Sequence, residues 1–67
     1  MIEIIGNNAG LVWNALSASN GQTGKSLKKA TKLKDKDLYA ALGWLAREGK
    51  ISIVENEKGD DVVVSLL

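Results

Sequence analysis

The sequence predicts an α+β fold in which three helices precede a C-terminal β-hairpin, and three observations lead there. Apolar residues recur at the helical period in three separate stretches, and Asn20-Gly21, the turn around Leu33 and Gly49 punctuate those stretches. Beyond Gly49 the pattern changes to short β-branched runs, Ile51-Ser52-Ile53 and Val62-Val63-Val64, on either side of the turn Glu57-Lys58-Gly59-Asp60. A chain of 67 residues is expected to make one domain over 1–67, with a single small core that takes most of its large apolar side chains.

In the first stretch Ile2, Ile5, Ala9, Val12 and Leu16 alternate steps of three and four, the period of one helical face. Gly6, Asn7, Asn8 and Gly10 weaken the opening turns. The firm part of the helix is therefore expected from Asn8 to Ser19, with Met1 to Ile5 either helical or extended. Trp13 falls at the edge of the stripe beside Gly6, Gly10 and Ser17. That strip of small residues is expected to form an intramolecular packing groove, the alternative being close approach by another backbone.

Gln22-Thr23 reads as a short bridge, and Thr23 is placed to cap a second helix running from about Gly24 to Thr31 or Lys32. Leu27, Ala30 and Thr31 point one way in it; Lys25, Lys28, Lys29 and Lys32 point the other and make a continuous basic face. Leu33 anchors the turn, and Lys34 or Asp35 opens the third helix, where Asp35 and Asp37 complement the helix dipole. At roughly 100° per residue, Leu38, Leu42 and Leu45 align with Ala41 beside them as the core stripe. The opposite line carries Lys36, Ala40, Gly43 and Arg47, flanked by Tyr39 and Trp44. Gly43 costs about 1 kcal/mol relative to alanine in a helix interior and so calls for a packing reason. Either Ala40, Gly43 and Trp44 meet another helix, or Trp44 packs on the chain's own hairpin. In the hairpin, alternation sends Ile51, Ile53, Val62 and Val64 inward and Val54 and Val63 outward. The outward pair is expected either to form an apolar patch beside Trp44, rimmed by Glu55 and Asp61, or to be covered by Ile2 and Ile4.

Composition narrows the function. The chain contains no Cys and no His, which removes the usual zinc ligands, the thiol nucleophile and the imidazole acid or base. No catalytic residues, cofactor or metal are expected. Gly24-Lys25-Ser26 resembles the end of the phosphate-loop pattern G-x-x-x-x-G-K-[ST], but Ser19 stands at the first glycine position and a helix, not a strand, precedes it. No apolar run approaches the length of a membrane span and no leader is visible at Met1-Ile2-Glu3, so a cytoplasmic protein without membrane contact is expected. The net charge is +1, yet it is segregated. Lys25, Lys28, Lys29, Lys32, Lys34 and Lys36 crowd one segment, while Glu55, Glu57, Asp60 and Asp61 surround Lys58 in the hairpin.

The order of three helices and a terminal hairpin, with Leu27, Ala30 and Leu33 in the second helix and turn and Leu38, Leu42 and Leu45 in the third, resembles a winged helix-turn-helix domain. Leu45-Ala46-Arg47-Glu48-Gly49-Lys50-Ile51 is similar to that family's passage from third helix into wing. Asn8 to Trp13 together with Gly43 to Glu48 resembles a small stand-alone prokaryotic winged-helix family of uncharacterised function. The resemblance implies a transcriptional regulator that binds double-stranded DNA, with the third helix in the major groove. Lys25, Lys28, Lys29, Lys32 and Lys34 would meet phosphates, and Lys36, Tyr39 and Arg47 would lie near base edges. The alternative is an interaction or dimerisation module without sequence-specific DNA binding, using Ala40, Gly43, Trp44, Val54 and Val63 against a protein partner or a second copy. Two features favour that alternative: base readout rests on side chains such as Arg, Asn, Gln and Lys, whereas Ala40 and Gly43 leave the centre of the outward line blank, and the hairpin is acidic.

Overall fold

The computed structural model describes residues 2–67. Its elements are α1 (Ile2–Ala18), β1 (Gln22–Thr23), α2 (Gly24–Thr31), α3 (Asp35–Arg47), β2 (Ile51–Glu55) and β3 (Val62–Leu66). The strands form one antiparallel sheet in the order β1-β3-β2. Ile53 faces Val64 and Val54 faces Val63 across the hairpin, while Gln22 and Thr23 pair with Val64 and Val63 on the other side of β3.

The anticipated stop and start signals act where the pattern placed them. Gly21 and Gly49 adopt left-handed backbone (φ 73° and 70°), closing the chain after α1 and α3. After α3 the N–H groups of Gly49 and Lys50 return to the carbonyls of Ala46 and Leu45. Thr23 caps α2, its hydroxyl oxygen accepting the Ser26 N–H at 3.1 Å. At the other end of α2, Lys32 takes a left-handed conformation (φ 61°) and donates its N–H to the Lys28 carbonyl at 2.8 Å. That bend sends the chain through Leu33 into α3.

Every element except the two-residue β1 contributes to one core: Ala9, Val12 and Leu16 from α1, Leu27 from α2, Leu38, Ala41, Leu42 and Leu45 from α3, and Ile51 and Val64 from the sheet. Each buried leucine or valine contributes about 1.5–3 kcal/mol relative to an exposed one, so α3, which supplies three of the leucines, is the element the others enclose.

The helical alternative holds at the start of the chain, where α1 runs from Ile2 through Gly6 and Gly10; Met1 lies outside the described residues. Three expectations need correction. The Gln22-Thr23 bridge is a strand, and the sheet has three strands where a hairpin was expected. Ala30 is exposed, because Gly24, Leu27 and Thr31 define the inward line of α2. Ile53 is 39% exposed although it has the parity of buried Ile51; it lies on the edge strand β2, whereas its partner Val64 on the central strand β3 is buried.

Removing the α2 cap tests how far this short helix depends on it. Thr23→Ala is expected to cost about 1 kcal/mol, a fall in melting temperature of about 4–8 °C for a domain of this size, measured by circular dichroism.

Candidate nucleic-acid interface

The helical pitch of α2 gathers Lys25, Lys28, Lys29 and Lys32, all exposed, around one shallow depression that also includes the half-buried Leu33. Lys28 is partly engaged: its Nζ lies 2.9 Å from Asp35 Oδ1 in the first turn of α3. Both groups are well exposed, so the pair contributes little to stability, but it holds one cation of the basic face against α3. Lys34 is exposed at the N-cap of α3.

The outward line of α3 is open as expected, with Lys36, Ala40, Gly43 and Arg47 all exposed. A Cβ built on Gly43 meets no atom within 4 Å among the described residues. The expected packing reason for Gly43 is therefore not found within the chain, and the bare backbone there admits close approach from outside. The residues assigned near base edges do not form one cluster. Tyr39 leans toward α2, beside Gly24, Lys25, Lys28, Asp35 and Asp61. Lys36 shares a depression with Ile4, Ile5, Asp37 and Ala40 toward the N-terminus of α1, and Arg47 lies with Trp44 and Glu48.

Asp61 carries the main contact that sequence reasoning missed. It was counted as part of an acidic rim, yet its Oδ2 accepts the Lys25 N–H at 3.2 Å and its Oδ1 accepts the Val62 N–H at 2.7 Å. The wing thus reaches across to the free N–H groups at the start of α2, where a carboxylate is favoured by the helix dipole as well. Gly24 makes room for it: a Cβ there would stand 2.5 Å from Asp61 Oδ1 and 3.2 Å from the Tyr39 hydroxyl. No local signal announces a contact between residues 36 positions apart; the acid following Lys58-Gly59-Asp60 looks like one more turn residue. In the same turn the Asp60 carboxylate accepts from the Asn56 side-chain amide at 2.7 Å.

The residues assigned to protein contact fall on separate surfaces. Trp44 lines a groove with Gly6, Ala9, Gly10, Trp13 and Lys50. Val54 is 61% exposed, whereas Val63, its cross-strand partner, is half-buried because β1 pairs on its far side. Ile2 and Ile4 do not shield the valines, being 69% and 59% exposed themselves, and Ile4 lies beside the first turns of α3. The strip on α1 is likewise not an internal packing groove, since a Cβ at Gly6 or Gly10 meets no atom within 4 Å among the described residues.

A helix-turn-helix formed by α2 and α3, backed by α1 and closed by a β2–β3 hairpin with a short third strand, is the winged helix-turn-helix architecture. The chain belongs to the family described as winged helix-turn-helix domain (DUF2582), whose model matches residues 1–66. Among solved structures it is similar to protein BT2368 from Bacteroides thetaiotaomicron, determined in solution by NMR, with 34% identity and a TM-score of 0.83 over 96% of this chain and 76% of that one. It also shares the fold of the PcaV transcriptional regulator from Streptomyces coelicolor, with 21% identity and a TM-score of 0.83 over 90% of this chain. The chain spans 45% of the length of PcaV. No curated protein matches it. No helix among the described residues is long and apolar enough to cross a membrane.

The contact from wing to α2 has a pH signature. The N–H of Val62, then that of Lys25, favour the charged form of Asp61 and hold its carboxyl below the ordinary value. With the folded value depressed, the stabilisation is fully present above the unfolded value and is lost as pH falls through the folded one. Asp61→Asn is therefore expected to lower the melting temperature at neutral pH, and the gap from the unsubstituted protein should close as pH falls below the ordinary aspartate range. Thermal melts across the acid range check this, and a gap independent of pH would mean that the charge is not responsible.

Proposed function

We propose that the protein is a DNA-binding winged-helix regulator in which α3 enters the major groove and the lysines of α2 neutralise flanking phosphates. The observation that supports this most is the convergence of Lys25, Lys28, Lys29 and Lys32 on one exposed face beside the open outward line of α3. In winged-helix proteins this is the side that meets the duplex, and phosphate contacts set affinity and register while base-edge contacts set specificity. The acidity of the wing weighs less against the reading than its count of carboxylates implies, because Asp61 is turned onto α2. Ala40 and Gly43 offer no readout group but allow the helix to lie close to the bases, leaving Lys36 and Arg47 to supply a modest sequence preference. The likeness to PcaV, a transcriptional regulator, is in keeping with this role. Lys34, at the start of α3, extends the phosphate-facing set, and Tyr39 serves the junction between α2 and α3 more than base contact.

A second reading, interaction with another protein or with a second copy, is favoured by one specific observation: the half-exposed tryptophans Trp13 and Trp44 flank a groove on the side of α3 that faces α1. The two readings use different faces and are separable by experiment.

Binding to double-stranded DNA, followed by fluorescence anisotropy at several salt concentrations, should give a log-log slope of roughly −3 to −4 if the four lysines each neutralise a phosphate. Replacing Lys28 and Lys29 together with alanine should weaken binding to all sequences alike and flatten the slope by up to about two units. Unchanged affinity in that double variant would remove the lysine face from the mechanism.

Asp35 gives an independent test with two opposite signs. It competes with phosphate for Lys28 and also complements the α3 dipole, so Asp35→Asn is expected to raise DNA affinity about two- to fivefold while lowering stability by about 0.3–1 kcal/mol. Anisotropy and thermal melting on the same sample read both effects.

A further inference from the structure

The groove between α1 and the C-terminal half of α3 is lined by Gly6, Gly10 and Trp13 on one side and by Trp44, Glu48 and Lys50 on the other. It brings together the two tryptophans of the chain, each 37% exposed. Tryptophan has a large apolar surface and is enriched at protein interfaces, and here two of them stand on the walls of one concave surface instead of joining the core beneath. Between them the α1 backbone is bare over a full turn, because Gly6 and Gly10 have no neighbour within 4 Å of a Cβ position among the described residues. Glycine weakens an exposed helix relative to alanine, and no described atom fills the space that a Cβ would take.

The groove carries charges of both signs. Glu48 and Lys50 both line it, and the Lys50 ammonium is held 5.9 Å from the centre of the Trp13 ring. Such a face is complementary to itself under a two-fold rotation whose axis passes between the two groups, which sets Glu48 of one copy opposite Lys50 of the other, twice over. We propose that this groove is the docking site for a second copy of the chain, forming a symmetric dimer through α1 and the Trp44 flank of α3. This develops the interaction reading above, on a surface that includes Trp44 but not Val54 or Val63. The dimer does not block the basic face. Trp44 lies about 80° around the helix from Lys36, so pairing there leaves the outward line of α3 and the α2 lysines open in both copies. The two copies then present two reading helices related by the dimer axis.

The test is sedimentation equilibrium over a wide concentration range, with circular dichroism on every variant. The unsubstituted protein should show a reversible monomer–dimer equilibrium. Gly10→Glu puts a charged side chain where nothing of the chain itself stands, so it should keep the fold and weaken the dimer at least about tenfold. Glu48→Lys and Lys50→Glu should each weaken it, and an equimolar mixture of the two should recover dimer mass, because every crossed contact in the mixed pair is again between opposite charges. A protein that stays monomeric throughout, a dimer indifferent to Gly10→Glu, or a mixture no more associated than its components would each overturn the proposal. The mixing arm remains decisive even if Gly10→Glu fails to fold. The Lys28 and Lys29 double alanine variant should retain the dimer, so loss of DNA binding and loss of self-association are read separately.

Discussion

The backbone N–H groups that open α2 are satisfied from two directions: by Thr23 immediately before the helix and by Asp61 from the far end of the wing. An isolated helix of this length does not form in water, and this one also carries Lys25, Lys28, Lys29 and Lys32 at three- and four-residue spacings, where like charges repel. What keeps it helical is Leu27, fully buried beneath it, together with those two caps. The same few residues fix the sheet, because Thr23 pairs with Val63 while the Gln22 side-chain amide donates to the carbonyls of Ala15 and Ser19 at 2.8 Å. On the other side of that junction Asn20 accepts the Leu66 N–H at 2.8 Å. The C-terminus of α1, the N-terminus of α2 and strand β3 are thus tied at one place, and Gly24 is buried at its centre.

This explains which parts of the fold were legible in the sequence. Leu38, Ala41, Leu42 and Leu45 could be assigned to the core because thirteen residues of helix repeat their period several times. Thr23 could be assigned as a cap and Gly49 as a stop because each acts on its own neighbours. Gln22-Thr23 could not be read as a strand, since two residues have no period and their conformation is set by Val63 and Val64 far along the chain. Asp61 escaped for the same reason. Ala30 and Ile53 show the limit of parity arguments: both sit at spacings that fit burial, yet α2 turns the line of Gly24, Leu27 and Thr31 inward and Ile53 lies on the edge strand of the sheet.

The site was half legible. The lysines of α2 could be placed on one face from spacing alone, and the structure places them so. Their neighbours could not be: Tyr39, read as part of the outward edge, leans into the junction with α2, whereas Trp44 turns the other way, toward α1. One helix turn separates these fates, because Tyr39 and Trp44 lie on opposite sides of the outward line and face different partners. The three exposed helical glycines follow the same division. Gly43 lies on the outward line of α3, while Gly6 and Gly10 lie on the α1 flank, so the chain leaves its backbone bare on two separate faces.

Asp35 sets the charge balance beside the basic face of α2. It stands at the N-terminus of α3, where the helix dipole favours an anion, and Lys28 reaches it from α2. If the chain binds DNA as proposed, a phosphate approaching the turn between the helices would be attracted by the same two features, whose place Asp35 takes in charge terms in the free protein. The arriving phosphate gains little from Lys28 alone, because that cation already has a partner. The exchange becomes favourable when the phosphates also engage Lys25, Lys29 and Lys32, for which no such pairing exists among the described residues. On the proposed DNA-binding reading, such an interface would respond to the spacing of several phosphates more than to any single one, and sequence discrimination would fall to Lys36 and Arg47 at the two ends of the outward line.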